Sequence, residues 1–174
     1  MPRLAILFPL VLLSGCGGQP RWYAPPAQQS SLAPPPSVTF GQFVAMSDPH
    51  ADACIVGGFR EKSEGQWRWT LDHPVLRFWL PPVPEARFVM EFAFPEQTFR
   101  QTGPVTLTFA INGKTFDRVR YSRPGAQKYT RTIPAAMLLP GSVNTVAINP
   151  DKCASRSESG ERLGFVLTSA GFVD

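Results

Sequence analysis

Residues 105–121 read VTLTFAINGKTFDRVRY, and this stretch decides the fold. Leu107, Phe109 and Ile111 alternate with Thr106 and Thr108, the period of two that a half-buried strand requires. Asn112-Gly113 follows at once, a pair that tolerates positive φ at both central positions of a two-residue hairpin turn. The return strand occupies 114–121.

The same alternation extends outward in both directions. In 87–94, Phe88, Met90, Phe92 and Phe94 share one face, with Glu91 on the other. Downstream, 122–126 reads as a turn, and 128–133, 143–149 and 162–168 as strands, with a last short piece around Phe172. Residues 134–139 suit one helical turn before Pro140-Gly141, and 150–161 form a polar loop. Upstream, 38–45 is a first strand ended by Ser47-Asp48-Pro49, and 54–56 a short piece running into Gly57-Gly58. Residues 66–70 place Trp67 and Trp69 on one face and Arg68 on the other. Residues 75–80 place Leu76, Phe78 and Leu80 opposite Val75, Arg77 and Trp79. Between these two strands Asp72-His73-Pro74 reads as a turn. About nine short strands and no long amphipathic helix predict an all-β domain. The expected form is a two-sheet antiparallel sandwich in jelly-roll order, with an immunoglobulin-like order as the alternative.

The other end of the chain has a different character. Arg3 precedes the apolar run 4–13, which is too short for the roughly 20 residues of a spanning helix. Leu13-Ser14-Gly15-Cys16 follows, and it resembles the lipobox of bacterial lipoproteins. The resemblance implies removal of residues 1–15, acylation of Cys16 and a membrane reached by lipid alone, held stably by two or three chains. Gly17 follows Cys16 where an Asp would resemble an inner-membrane retention signal, so the outer membrane, on its periplasmic face, is the expected address. Residues 16–37 are rich in Pro, Gly, Gln and Ser and read as an extended tether to a domain at 38–174.

The chain has three cysteines. With Cys16 lipidated, Cys54 and Cys153 form an even pair that an oxidising compartment would close into a disulfide. Two free buried thiols or an intermolecular bridge are the alternatives. The net charge is +4, and the arginines are scattered along the chain. A nucleic-acid reader concentrates them on one element, so no nucleic-acid partner is expected.

No catalytic set emerges. His50 and His73 are not at metal-ligand spacing, and neither a Gly-x-Ser-x-Gly elbow nor a glycine-rich phosphate loop occurs. Glu61, Glu64, Asp72 and Glu91 are carboxylates without a pairing pattern. The expectation is a protein with no catalytic residue, metal or cofactor. The tryptophans suggest binding instead, because the C–H faces of sugar rings stack on indoles while their hydroxyls need polar partners. Trp79 beside Arg77 makes one candidate platform; Trp67 and Trp69 beside Arg68 make another, although two tryptophans at this spacing are expected to face the core. Arg68-Trp69-Thr70, Asn112-Gly113 and Arg162-Leu163-Gly164 together resemble a bacterial β-sandwich module of the galactose-binding-like kind, over roughly 52–173. That resemblance implies a sandwich and a link to envelope glycans. The family's Asp-x-Arg is absent, since Ser159-Gly160-Glu161 precedes Arg162. The predicted role is a membrane-anchored, non-catalytic module for a glycan or a glycan-handling assembly. The alternative is an assembly lipoprotein that contacts an envelope protein through a sheet face or edge.

Overall fold

The computed structural model describes residues 41–62, 64–83, 85–156 and 160–173. The apolar run 4–13, Cys16, the 16–37 segment and residues 38–40 lie outside the described residues. Strands occur at Phe43–Ala45 (β1), Ile55–Phe59 (β2), Arg68–Leu80 (β3), Ala86–Phe94 (β4), Val105–Ile111 (β5) and Lys114–Tyr121 (β6). They continue at Gly125–Ile133 (β7), Ser142–Pro150 (β8), Ala154–Ser155 (β9), Arg162–Leu163 (β10) and Val166–Val173 (β11). One α-helix, Glu96–Thr102 (α1), and short 3-10 turns at Ala51–Cys54 and Ala135–Met137 complete the described chain.

The protein is an all-β antiparallel sandwich. One layer runs β6-β5-β8-β3 with β2 beyond, and the other runs β7-β4-β11 with β1 beyond. The layers are stitched at one corner, where Trp69 pairs with Val166 and Arg68 with Leu167. With β2 and the β9–β10 ribbon set aside, the eight remaining strands read 1-8-3-6 in one layer and 2-7-4-5 in the other. This is the jelly roll. It rules out the immunoglobulin order, in which the first two strands pair within one sheet.

Alternation explains the core. Phe88, Met90, Phe92 and Phe94 on β4 meet Leu76, Phe78 and Leu80 on β3 and Leu107, Phe109 and Ile111 on β5 in one buried cluster. Phe78 lies 6.2 Å from Phe88 and 5.7 Å from Phe172 between ring centroids, near edge-to-face. Each fully buried phenylalanine contributes roughly 1.5–3 kcal/mol. Asn112 (φ 48°) and Gly113 (φ 79°) both take positive φ, as the expected hairpin turn demands.

The edge strands β6 and β7 are tied across the open side of the sandwich. Asp117 accepts a hydrogen bond from Tyr129 Oη at 2.8 Å and pairs with Arg131 at 3.0 Å. The Tyr129 ring stacks flat on Phe109 at 3.9 Å. Burial pushes the Asp117 carboxyl up, but the bonds from Tyr129, the Arg118 amide and Arg131 outweigh it and hold it below its ordinary value. Burial and the Asp117 charge push the nearby Tyr121 up to about 12.

Several expectations need correction. The strands expected at 66–70 and 75–80 are one continuous β3, and His73 is a strand residue, not a turn residue. Pro74 is tolerated inside it because the β8 ladder reaches only to Val75 and the facing β2 is bulged on both sides of Gly57. The expected piece 54–56 is a 3-10 turn followed by β2. The expected strand 162–168 breaks at Gly164, where a side chain would lie 2.7 Å from the Leu71 carbonyl oxygen and 2.8 Å from Thr70 Oγ1. Gly164 therefore permits a close approach of β3 that a side chain would block.

The Cys54–Cys153 disulfide is also overturned, since both residues are free thiols. The register separates them. Ile55 pairs with Leu76, which puts Cys54 beside Arg77, whereas Cys153 lies past the end of β8 with Asp72 among its charged neighbours. Five residues of β3 at about 3.3 Å each exceed the roughly 7 Å that a disulfide spans between Cα atoms. Burial raises both thiols, against the pull of Arg77 on Cys54 and of Arg162 on Cys153.

Candidate functional site

Position parity along β3 settles where the tryptophans point. Arg68, Thr70, Pro74, Leu76, Phe78 and Leu80 are buried, so the odd-numbered positions face outward. Trp67 and Trp69 are accordingly half-buried and outside the core, contrary to the core packing expected for them. Arg68 is the residue that turns inward. Its guanidinium pairs with Asp52 of the first 3-10 turn, and its stem is covered, leaving the side chain 8% exposed. It supports the site from behind and does not line it. Trp67 meets Trp69 edge-on, with centroids 6.1 Å apart and planes at 85°, which fixes the Trp69 ring.

Trp69 forms one wall of a cleft of about 390 Å³, within the range of small-molecule sites. Helix α1 forms the opposite wall. Pro95 precedes it, Glu96 occupies the first turn and pairs with Arg100 one turn on, and Gly103 (φ 65°) ends it. Phe99 anchors the helix to Phe94 at 6.0 Å, which leaves Gln97, Thr98 and Gln101 to line the cleft. The third wall is Ser155 and Arg156, from the segment that forms the β9–β10 ribbon. Arg60 and Glu64, from the β2–β3 connection, close the fourth side.

That connection is held by its own backbone: the Arg60 N–H donates to the Trp69 carbonyl at 3.0 Å, and the Glu64 N–H to that of Trp67 at 2.9 Å. Arg60 pairs with Glu64 at 3.7 Å and Glu161 at 3.3 Å, so both carboxylates flank one guanidinium. The cleft thus combines one flat indole with amides, hydroxyls and a charged corner. It can stack an apolar ring face and hydrogen-bond the hydroxyls around its rim.

The other candidate platform lies elsewhere. Trp79 is 44% exposed on the outward face of β3, paired across the ladder with Val143, itself 38% exposed. It stands ten positions from Trp69, about 33 Å along the strand, so the structure does not bring the two together. Arg77 is committed elsewhere, donating from Nε to the Ala53 carbonyl at 2.7 Å. The Trp79 N–H donates to the Gly41 carbonyl at 3.3 Å, where the described chain begins. Of the remaining carboxylates, Asp72 pairs with Arg162 at 3.9 Å and Glu91 with Lys128 at 3.2 Å. Among the described residues, no group of three or more His, Cys, Asp and Glu is placed to hold a metal.

No protein-family model and no curated protein matches the sequence. Among solved structures, a family 35 carbohydrate-binding module from Clostridium thermocellum is similar over 76% of this chain and 98% of its own, at 13% identity and a TM-score of 0.46. A second family 35 module, from an environmental isolate, is similar over 69% and 84%, at 12% identity and a TM-score of 0.44. The exo-β-1,3-galactanase of Phanerochaete chrysosporium is similar over 77% of this chain at 12% identity and a TM-score of 0.45. The chain spans only 29% of that enzyme, and 14% of a family 115 4-O-methyl-α-glucuronidase. At such scores these likenesses carry no weight in assigning a ligand, which must be argued from this chain's own residues.

Proposed function

We propose that the sandwich is a non-catalytic binding module that takes a glycan in the cleft beside Trp69. Its place of work is the cell envelope, where lipid on Cys16 and the 16–37 tether hold it to a membrane, the outer one where there are two. The observation that carries the glycan reading is the Trp69 indole, pinned by Trp67 and facing a cleft whose other walls offer hydroxyl and amide partners. Arg60 holds Glu64 and Glu161 on one guanidinium, which fixes the charged corner of the cleft.

Trp69→Ala is expected to weaken glycan binding about 10- to 100-fold, the truncation cost of an aromatic anchor. Glycan-array capture followed by titration calorimetry measures it, and unchanged affinity would sink the reading. The exposed Trp79–Val143 pair favours a second role, contact with a protein partner through the outer face of β3 and β8. Trp79→Ala separates the two roles, because it should leave sugar affinity intact.

The lipid anchor rests on the run 4–13 and on Leu13-Ser14-Gly15-Cys16. Cys16→Ser should move the protein from the membrane to the soluble fraction on ultracentrifugation. A variant that still pellets with membranes would refute the anchor.

A further inference from the structure

A second cavity, of about 710 Å³, opens on the far side of Arg60. It shares Arg60 and Glu64 with the first, so the two are neighbours across this ion pair. Phe59 and Leu71 give it an apolar surface, and Glu61, Lys62 and Glu161 ring it with charge. Leu71 follows Trp69 by two positions and so projects from the same face of β3, about 7 Å further along. That is the scale of one pyranose unit.

Resting on the glycan reading, we infer that the ligand is a chain of at least two sugar units, lying across Arg60 with its next unit in this second cavity. The indole of Trp69 takes one ring and the Leu71–Phe59 surface the C–H face of the neighbouring one. Arg60 is suited to the shared position. Its ion pairs with Glu161 and Glu64 engage Nε and Nη1, and a guanidinium has five N–H donors, so donors remain for hydroxyls on either side. Glu61 and Lys62 are exposed and supply an acceptor and a donor at the outer rim. A single sugar beside Trp69 would leave the larger cavity, with its apolar surface, to water.

The test uses the full chain in detergent and three ladders of one to four units: N-acetylglucosamine to its β-1,4 tetramer, xylose to xylotetraose, and galacturonic acid to its tetramer. In whichever ladder binds, the trimer should bind at least about tenfold more tightly than the monomer. Glu61→Ala combined with Lys62→Ala should reduce trimer affinity about three- to tenfold and leave the monomer unchanged. Leu71→Ser should act in the same selective way. If monomer and trimer bind equally while Trp69→Ala still abolishes binding, the two-cavity inference is wrong and the glycan reading stands. A length-dependent gain indifferent to all three substitutions likewise overturns it. If no member of any ladder binds, both readings fall together.

Discussion

Gly58→Ala is expected to destabilise the domain by at least about 3 kcal/mol and to lower its melting temperature by about 10 °C. Gly58 has φ +76°, which costs an L-residue roughly 1–2 kcal/mol before any contact is counted. A Cβ there would lie 2.0 Å from the His73 carbonyl oxygen, 2.4 Å from its carbon and 2.6 Å from Pro74 Cα. All three are backbone atoms of β3, so no rotamer change can relieve the overlap and β2 must move away. The damage would reach the cleft, because β2 leads into the segment that carries Arg60. Thermal unfolding followed by circular dichroism measures the effect, and a fall of less than about 3 °C would contradict this packing of β2 on β3.

Asn144→Leu should have a comparable effect for a different reason. Asn144 is fully buried, and its amide ties the turn before β8 to the β5–β6 hairpin. Its oxygen accepts from the Leu139 N–H and from Asn112 Nδ2, each at 2.8 Å. Its nitrogen donates to the carbonyls of Leu139 at 2.9 Å and Ser142 at 3.2 Å. Asn112 continues the network, donating to the Met137 carbonyl at 3.0 Å and accepting from the Thr145 N–H at 3.0 Å. Leucine keeps the volume and none of the bonds. At roughly 1–3 kcal/mol for each group left buried without a partner, the loss is about 3–4 kcal/mol. Denaturant titration should show the midpoint fall with little change in slope. Asn112→Ala and Asn144→Ala combined should cost less than the sum of the two singles, because one network is being cut twice. Strict additivity would break this account.

These two positions also show how far the sequence could be read. Residues 87–94 and 105–121 declared their strands because each has one face in the core and one in water, and Asn112-Gly113 declared the turn between two of them. What stayed hidden at Asn112 was its side chain, whose partners Met137 and Asn144 lie far along the chain. The Asp72-His73-Pro74 triplet misled, because proline and polar residues mark a turn unless a bulged neighbour accommodates them. Splitting β3 there lost the parity linking Thr70 to Leu76, and with it the sign of Trp69. Read as one strand, 68–80 puts Arg68 inside and both tryptophans outside.

Helix α1 was missed although Pro95, the Glu96–Arg100 spacing and Gly103 frame it; seven residues are too few for periodicity to speak. The cleft walls Gln97, Gln101, Ser155 and Arg156 form no motif, since separate connections supply them. Of the cleft residues, only Trp69 belongs to a platform legible in the sequence, and its role follows from the face on which it stands; Glu64 stands out there only as a carboxylate without a pairing pattern.

The hydrogen bond between the Trp79 N–H and the Gly41 carbonyl has a mechanical consequence. Gly41 lies at the end of β3 opposite the cleft, and β1 runs from there alongside β11 toward it. A pull applied between Gly41 and the cleft end would run along the strand axes. The bonds joining β1 to β11, with those from Phe172 N–H to the Gln42 carbonyl and from Met46 N–H to that of Thr168, would then share the load in shear. Unzipping would instead break them in succession. Loaded along this line, the domain would keep its first strand, because these bonds must break together.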